Sequence, residues 1–282
     1  MKKFLALLLS LTMILTAAAA LADSIYVVSR EDGSGTRSAF VELTGVESKN
    51  EAGEKVDNTT VEAAIYSGTS EVKTTIAGDD LAIGYISLGS MDDTVKAVKV
   101  EGVEATAQNV ADGVYALARP FNIAYKADTL SDTAKDFIAW IMSGEGQAIV
   151  TENKYVAAEP AAYEAAPVAG KIVVGGSSSV SPLMEKLAEA YMAKNPDVVI
   201  ELQTNDSSTG MKEAAAGNFD IGMASRAVKD SELEQGLTPA TICMDGIAVI
   251  VNLNNPVDDL TMEQIRTIYV GETTDWNEIP AQ

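Results

Sequence analysis

Arg30 and the glycine-hydroxyl stretch Gly33-Ser34-Gly35-Thr36 are the first residues in this chain whose types and spacing could do chemistry. They follow an apolar, β-favouring run, Ile25-Tyr26-Val27-Val28, and precede a segment that can be helical. The stretch SREDGSGTRSAF is therefore read as a strand-to-helix turn. The first amides of a helix have no partner inside it, and the macrodipole places about half a positive charge there, so such a turn can hold an oxyanion. Arg30 can add a forked, charge-assisted pair of hydrogen bonds, with Asp32 placed to hold the guanidinium. Two more serine-rich turns open helices later, GGSSSVS at Gly175–Ser181 and DSSTG at Asp206–Gly210. Three such turns and one arginine point to convergence on a small tetrahedral anion.

The elements that must position these turns follow a strand-helix alternation. After the first turn a short helix spans Arg37–Leu43, and Glu47–Asn58 reads as loop. A strand or turn then leads into a helix over Ser70–Ala77, followed by strands at Leu81–Leu88 and Val95–Val100 and a mostly irregular Val103–Gly113. Ala116–Ala124 reads as an extended edge or crossover segment. Ser131 caps an amphipathic helix that Gly144 ends, and a second short helix spans Glu145–Asn153. Ala157–Gly170 (AAEPAAYEAAPVAG) is rich in alanine and proline, without a period, and reads as a linker. Beyond it come a strand at Lys171–Val174, a helix opened by Pro182, a strand at Val198–Leu202, the DSSTG turn with its helix, and a short strand at Asp220–Ala224. A buried strand within Ile242–Asn252 and a helix capped by Thr261 complete the series. Such alternation predicts an α/β protein with doubly wound sheets.

Composition narrows the chemistry. The chain of 282 residues has no histidine, which removes Ser-His and Cys-His nucleophiles and most zinc sites. No P-loop pattern is present, so no catalytic residue, metal site or cofactor is assigned. Residues 1–22 read as a secretory signal: Lys2 and Lys3, an apolar run, then Ala20-Leu21-Ala22 as cleavage site. The net charge is −21, or −23 once Lys2 and Lys3 are removed. A surface so acidic repels nucleic acid, and any anion site must work through local dipoles. Cys243, the single cysteine, can form no disulfide within the chain and is no lipid anchor. An exported, soluble protein that is not lipid-anchored is expected, periplasmic or extracellular.

The motifs SREDGSGTRSAF, AIGYISL and YALARPFNIAYK, with GGSSSVSPLMEKLAEAY, FDIGMASRAVKDSE, MDGIAVIVNLNNPV and IYVGETTDWNEI, resemble the phosphate-binding proteins of ABC-type phosphate uptake systems. The resemblance covers nearly the whole chain beyond residue 22 and implies a two-lobed periplasmic-binding-protein fold of type II, with doubly wound mixed sheets in each lobe. In that family the GSSSVSPL-like block comes first and the SREDGSGTR-like block follows the TDWNEI-like one, so this chain resembles a circularly permuted member. Residues 157–170 would join the family's usual termini. One lobe would be 23–118 plus 245–282, the other 119–244. A piece of a tandem array or a swapped dimer is the alternative.

The resemblance implies that Arg30, Ser34, Gly35 and Thr36 grip phosphate from one lobe, and Ser178, Ser179 and Ser207 from the other. Some members carry an aspartate where Arg226 stands, an acceptor for the phosphate proton. Asp245 is the candidate to replace it, paired with Arg226 unless that arginine meets the anion or makes an inter-lobe salt bridge. Asp206 is a second choice, with a plain helix cap as its other reading. The implied function is that of a monomeric binding protein, not an enzyme, which hands phosphate to membrane permease subunits. The alternatives are another oxyanion such as sulfate or molybdate, and a phosphate sensor that never meets a transporter.

Overall fold

The structure, a computed structural model, describes residues 24–279. The signal segment expected at residues 1–22, and positions 23 and 280–282 of the expected lobe, lie outside the described residues. In chain order the elements are β1 (Tyr26–Arg30), α1 (Gly35–Thr44), β2 (Glu47–Lys49), β3 (Lys55–Asp57), β4 (Ala64–Tyr66), α2 (Thr69–Gly78), β5 (Ala82–Ser87), β6 (Lys96–Ala97), β7 (Lys99–Val100), α3 (Ala107–Ala111) and β8 (Ala118–Tyr125). They continue with α4 (Asp132–Ile141), α5 (Gly144–Glu152), β9 (Val156–Ala157), β10 (Gly170–Ser177), α6 (Ser181–Lys194), β11 (Val198–Asn205), α7 (Ser207–Ala216), β12 (Ile221–Ala224), α8 (Asp230–Leu233), β13 (Thr238–Val251), β14 (Asp259–Leu260) and α9 (Met262–Tyr269).

Two parallel triplets, β4-β1-β5 and β11-β10-β12, flank the antiparallel pair β8 and β13 in one hydrogen-bonded order, β11-β10-β12-β8-β13-β5-β1-β4. The sheets of the two halves are thus joined through the crossing strands. β13 can make this crossing because Ile242–Val251 is almost wholly apolar and buried, as a strand covered on both faces must be. One large core gathers Phe121, Phe137, Trp140, Leu187, Tyr191 and Cys243, all between β8 and the middle of β13. The other gathers Phe40, Tyr85, Leu117, Ile247, Ile268 and Trp276. Between these cores, Arg119 stands opposite Asp245 on the paired crossing strands.

Local signals placed most helices correctly. Ser131 caps α4 through the Ala134 amide, and Thr261 closes a capping box on α9 with Gln264. Two polar stretches differ from expectation. Glu47–Asn58 is a β2-β3 hairpin rather than loop, its register fixed when Asn58 donates to the Val46 and Val56 carbonyls. Val103–Gly113 contains α3, capped by Thr106. Of the two readings of Ala116–Ala124, edge or crossover, β8 is the crossover, since β12 and β13 cover both its sides.

Residues 157–170 are not a free tether. The Ala161 amide donates to the Met142 carbonyl, and Thr133 donates to the Ala169 carbonyl. Buried Asp136 accepts from Tyr163 at 3.0 Å and from Tyr191 at 2.6 Å. Composition does not show this strap, because it depends on partners on and beside α4 and on Gln147 of α5, which accepts from the Ala158 amide. Asp136→Ala leaves the Tyr191 hydroxyl buried without its acceptor, so a loss of about 2–3 kcal/mol is expected, read as a lower urea midpoint.

Candidate functional site

Each parallel triplet places its βα turns at one end, where strands stop and helices begin. Four helices start there: α1 after β1, α2 after β4, α6 after β10 and α7 after β11. Three of these turns are the ones expected from sequence. The fourth, Ser67-Gly68-Thr69, caps α2 with a glycine that offers no side-chain acceptor, so Thr69 at the first helical position is left to face the others. A short strand running into Gly-Thr-Ser is the sequence signal that could have found it.

The turns from the two halves meet. Thr36 and Ser179 share a hydroxyl hydrogen bond of 2.7 Å, and Thr69 lies 3.3 Å from both Ser178 and Ser179. Ser225, at the end of β12, accepts from Ser177 at 2.9 Å, and its hydroxyl lies 3.4 Å from Thr36 and 3.5 Å from Ser207. Ser207 in turn accepts from the Ser225 amide. The result is a buried cluster of hydroxyls at helix starts, which can donate to an oxyanion or accept from an acidic proton.

Arg30, 1% exposed, is the cation of this cluster. Its Nη2 donates to Ser178 at 3.0 Å and its Nη1 to Thr69 at 3.4 Å. Its other edge is a bidentate pair with Glu31, both bonds at 2.8 Å. Asp32, expected in that role, instead points outward and pairs with Arg37. Adjacent residues on an extended strand face opposite ways, but the chain turns at Glu31, whose amide is bound to the Tyr66 carbonyl. That bend brings the Glu31 carboxylate back onto its neighbour.

The other expected residues fall into distinct places. Ser34 is buried and caps α1 by accepting from the Arg37 amide. Gly35 stands where an added methyl would collide with the Ser207 hydroxyl, and a methyl at Gly33 would collide with the Asp206 carboxylate. The Ser208 amide donates to the Gly33 carbonyl at 3.2 Å, so the two halves touch along this line. Asp206 itself is the helix cap, accepting from the Thr209 amide and hydroxyl.

Arg226 does not pair with Asp245. It forms a buried bidentate ion pair with Glu232, at 2.9 and 2.7 Å, and reaches Ser208 only at 3.4 Å. Glu232 is six residues away within the same half, held by the Lys229 amide, so this local pairing displaces both the inter-lobe bridge and the Asp245 pair. The guanidinium that Asp245 meets is Arg119, whose Nε and Nη2 lie 3.3 and 3.1 Å from Oδ2. Ser87 donates to Oδ1 at 2.9 Å. Asp245 thus stands behind Arg119, which donates in turn to the Ser225 carbonyl. Burial pushes the Asp245 carboxyl up to about 6, against the pull of Arg119. Tyr85, Tyr115 and Trp276 serve packing: Tyr85 stacks on Phe40, while Tyr115 and Trp276 bond to the Ile247 and Leu81 carbonyls.

Comparison with known proteins places this geometry. A model of the PBP superfamily domain matches residues 16–145 and 161–282. The phosphate-binding protein PstS 2 of Streptococcus agalactiae serotype V is 48% identical over 257 residues, 91% of this chain and 88% of that protein. The chain belongs to the phosphate-binding proteins of the PBP superfamily. The phosphate-binding protein PstS 2 of Streptococcus pneumoniae serotype 4 is 44% identical over 258 residues, again 91% of this chain and 88% of its own length. A crystal structure of a phosphate ABC transporter phosphate-binding protein from Streptococcus pneumoniae TIGR4 covers 91% of this chain and 100% of its own, with 44% identity and a TM-score of 0.72. The fold is the two-lobed α/β arrangement of this family, with β8 and β13 paired at the middle of its strand order. Members of the family bind rather than transform, and a hydroxyl cluster with one arginine has the chemistry for that.

Proposed function

We propose that this protein binds inorganic phosphate between its lobes and delivers it to the membrane subunits of an ABC importer. The observation that carries the reading is the meeting of four helix starts, two from each half, around the single guanidinium of Arg30. Phosphate there would replace the direct Thr36–Ser179 and Thr69–Ser178 contacts as the bridge between lobes, favouring the closed form by its differential affinity. Arg30, Ser34, Gly35, Thr36, Ser178, Ser179 and Ser207 are assigned to the ligand, with Thr69 and Ser225 added. Asp245 acts from behind Arg119, and Arg226 supports the α7 turn. The protein works as a monomer, exported through the signal at residues 1–22. Among the described residues no helix is long and apolar enough to cross a membrane.

The lobes are assigned as 23–118 plus 245–282 and 119–244, which the division of the two large cores supports. Circular permutation is supported by the meeting of the SREDGSGTR and TDWNEI blocks. Ser24 bridges Asp275, and the Ile25 amide donates to the Thr274 carbonyl at 2.8 Å. The segment 157–170 then replaces the family's free ends with a strap.

Titration calorimetry with phosphate and sulfate tests the ligand. Phosphate usually keeps one proton at neutral pH, and a cage hydroxyl can accept it. Sulfate has no proton to give and that hydrogen bond is lost, so discrimination of about 1–2 kcal/mol, roughly 5- to 30-fold, is expected. Equal affinity would remove the phosphate assignment and leave a general oxyanion receptor.

A further inference from the structure

Arg119 and Asp245 form a buried pair that the anion cage does not itself require. They are register partners on the two crossing strands, with side chains 2% and 1% exposed. From this point Asp245 reaches Ser87 at the end of β5, while Arg119 reaches the Ser225 carbonyl at 3.1 Å. Ser225 is one of the cage hydroxyls. A chain of contacts one serine and one guanidinium long therefore connects the bound anion to a buried carboxylate.

From this chain we infer that Asp245 is a positioning residue that couples phosphate binding to proton uptake: the anion in the cage and the Asp245 carboxylate compete for the same buried positive charge on Arg119. The inference rests on the phosphate reading above. Like charges disfavour each other's ionised forms, so an anion at Ser225 draws a proton onto Asp245. The carboxyl is poised for this, because burial already holds it at about 6. Among the described residues its surroundings offer no second cation. Ser87 and the Gly89 amide donate to it from β5 and the turn beyond. The phenols of Tyr115 and Tyr155 face it and are themselves pushed up by burial, as is the Cys243 thiol on its own strand. On the far side, Arg30 is the other charge felt by Arg119. Because binding raises the Asp245 carboxyl, affinity falls as pH rises through its range, and phosphate is released more readily at higher pH.

The test is phosphate calorimetry from pH 5 to 8 in buffers of different ionisation enthalpy, on wild type and Asp245→Asn. Phosphate's own ionisation is common to both proteins and cancels in their comparison. The wild type is expected to take up a fraction of a proton more per phosphate near pH 7. It should also bind about tenfold more weakly than Asp245→Asn at pH 8 and equally at pH 5, which corresponds to a one-unit shift of the carboxyl on binding. Ser87→Ala removes a donor to the carboxylate and should move the proton uptake to higher pH, a second route if Asp245→Asn does not fold. Binding by both proteins with the same proton count, or weaker binding by Asp245→Asn at every pH, overturns the coupling alone. No phosphate binding by wild type overturns the coupling together with the phosphate reading.

Discussion

Arg30→Ala is expected to lose phosphate binding almost completely while remaining folded. Among the described residues Arg30 is the one cation whose hydrogen bonds reach both Thr69 of its own half and Ser178 of the other. Two charge-assisted hydrogen bonds to the anion contribute roughly 1.5–3 kcal/mol each, so affinity should fall about 10²- to 10⁴-fold. The loss also strands Glu31, whose carboxylate the guanidinium now holds on both oxygens, and an unpaired carboxylate beside the cage repels the ligand further. Glu31 is partly open to solvent, so the fold itself should survive. Titration calorimetry reads the affinity and circular dichroism the fold. Arg30→Lys keeps the charge but not the fork, and should recover only part of the binding. A wild-type affinity in Arg30→Ala would mean that the anion sits elsewhere.

Gly35→Ala is expected to block closure. A methyl at this position meets the Ser207 and Ser225 hydroxyls, which belong to the opposite half of the cage. The three atoms nearest such a methyl all belong to Ser207 and Ser225, and Gly35 lies at the first position of α1 with no left-handed backbone that would require glycine. The variant should therefore be at least as stable as wild type yet bind phosphate at least about 100-fold more weakly, because the ligand must then hold lobes that no longer meet. Small-angle scattering gives the independent reading. Addition of phosphate should compact wild type and leave Gly35→Ala unchanged. Compaction of the variant to the wild-type extent would remove the closing role assigned to this glycine.

The helix starts were legible in the sequence because each is a local device. An apolar strand, a glycine or serine turn and a capping residue lie within about ten positions, and the caps at Ser34, Ser131, Asp206 and Thr261 work as their types require. The motif resemblance added the family and the two-lobed fold. What failed was pairing among charges. Asp32 was nearer to expectation than Glu31, and Arg226 nearer than Arg119, yet the bend after β1 and the local hold of Glu232 reversed both choices.

The sequence by itself determined most of the strands and helices and which turns carry hydroxyls, since backbone conformation and capping depend on near neighbours. Only the tertiary structure decided that Thr36 meets Ser179 across 143 positions and that Arg119 meets Asp245 across 126. These partners are chosen by how β8 and β13 cross and how the lobes close, and a burial that strips water from a charge leaves it to whichever opposite group the fold brings within reach.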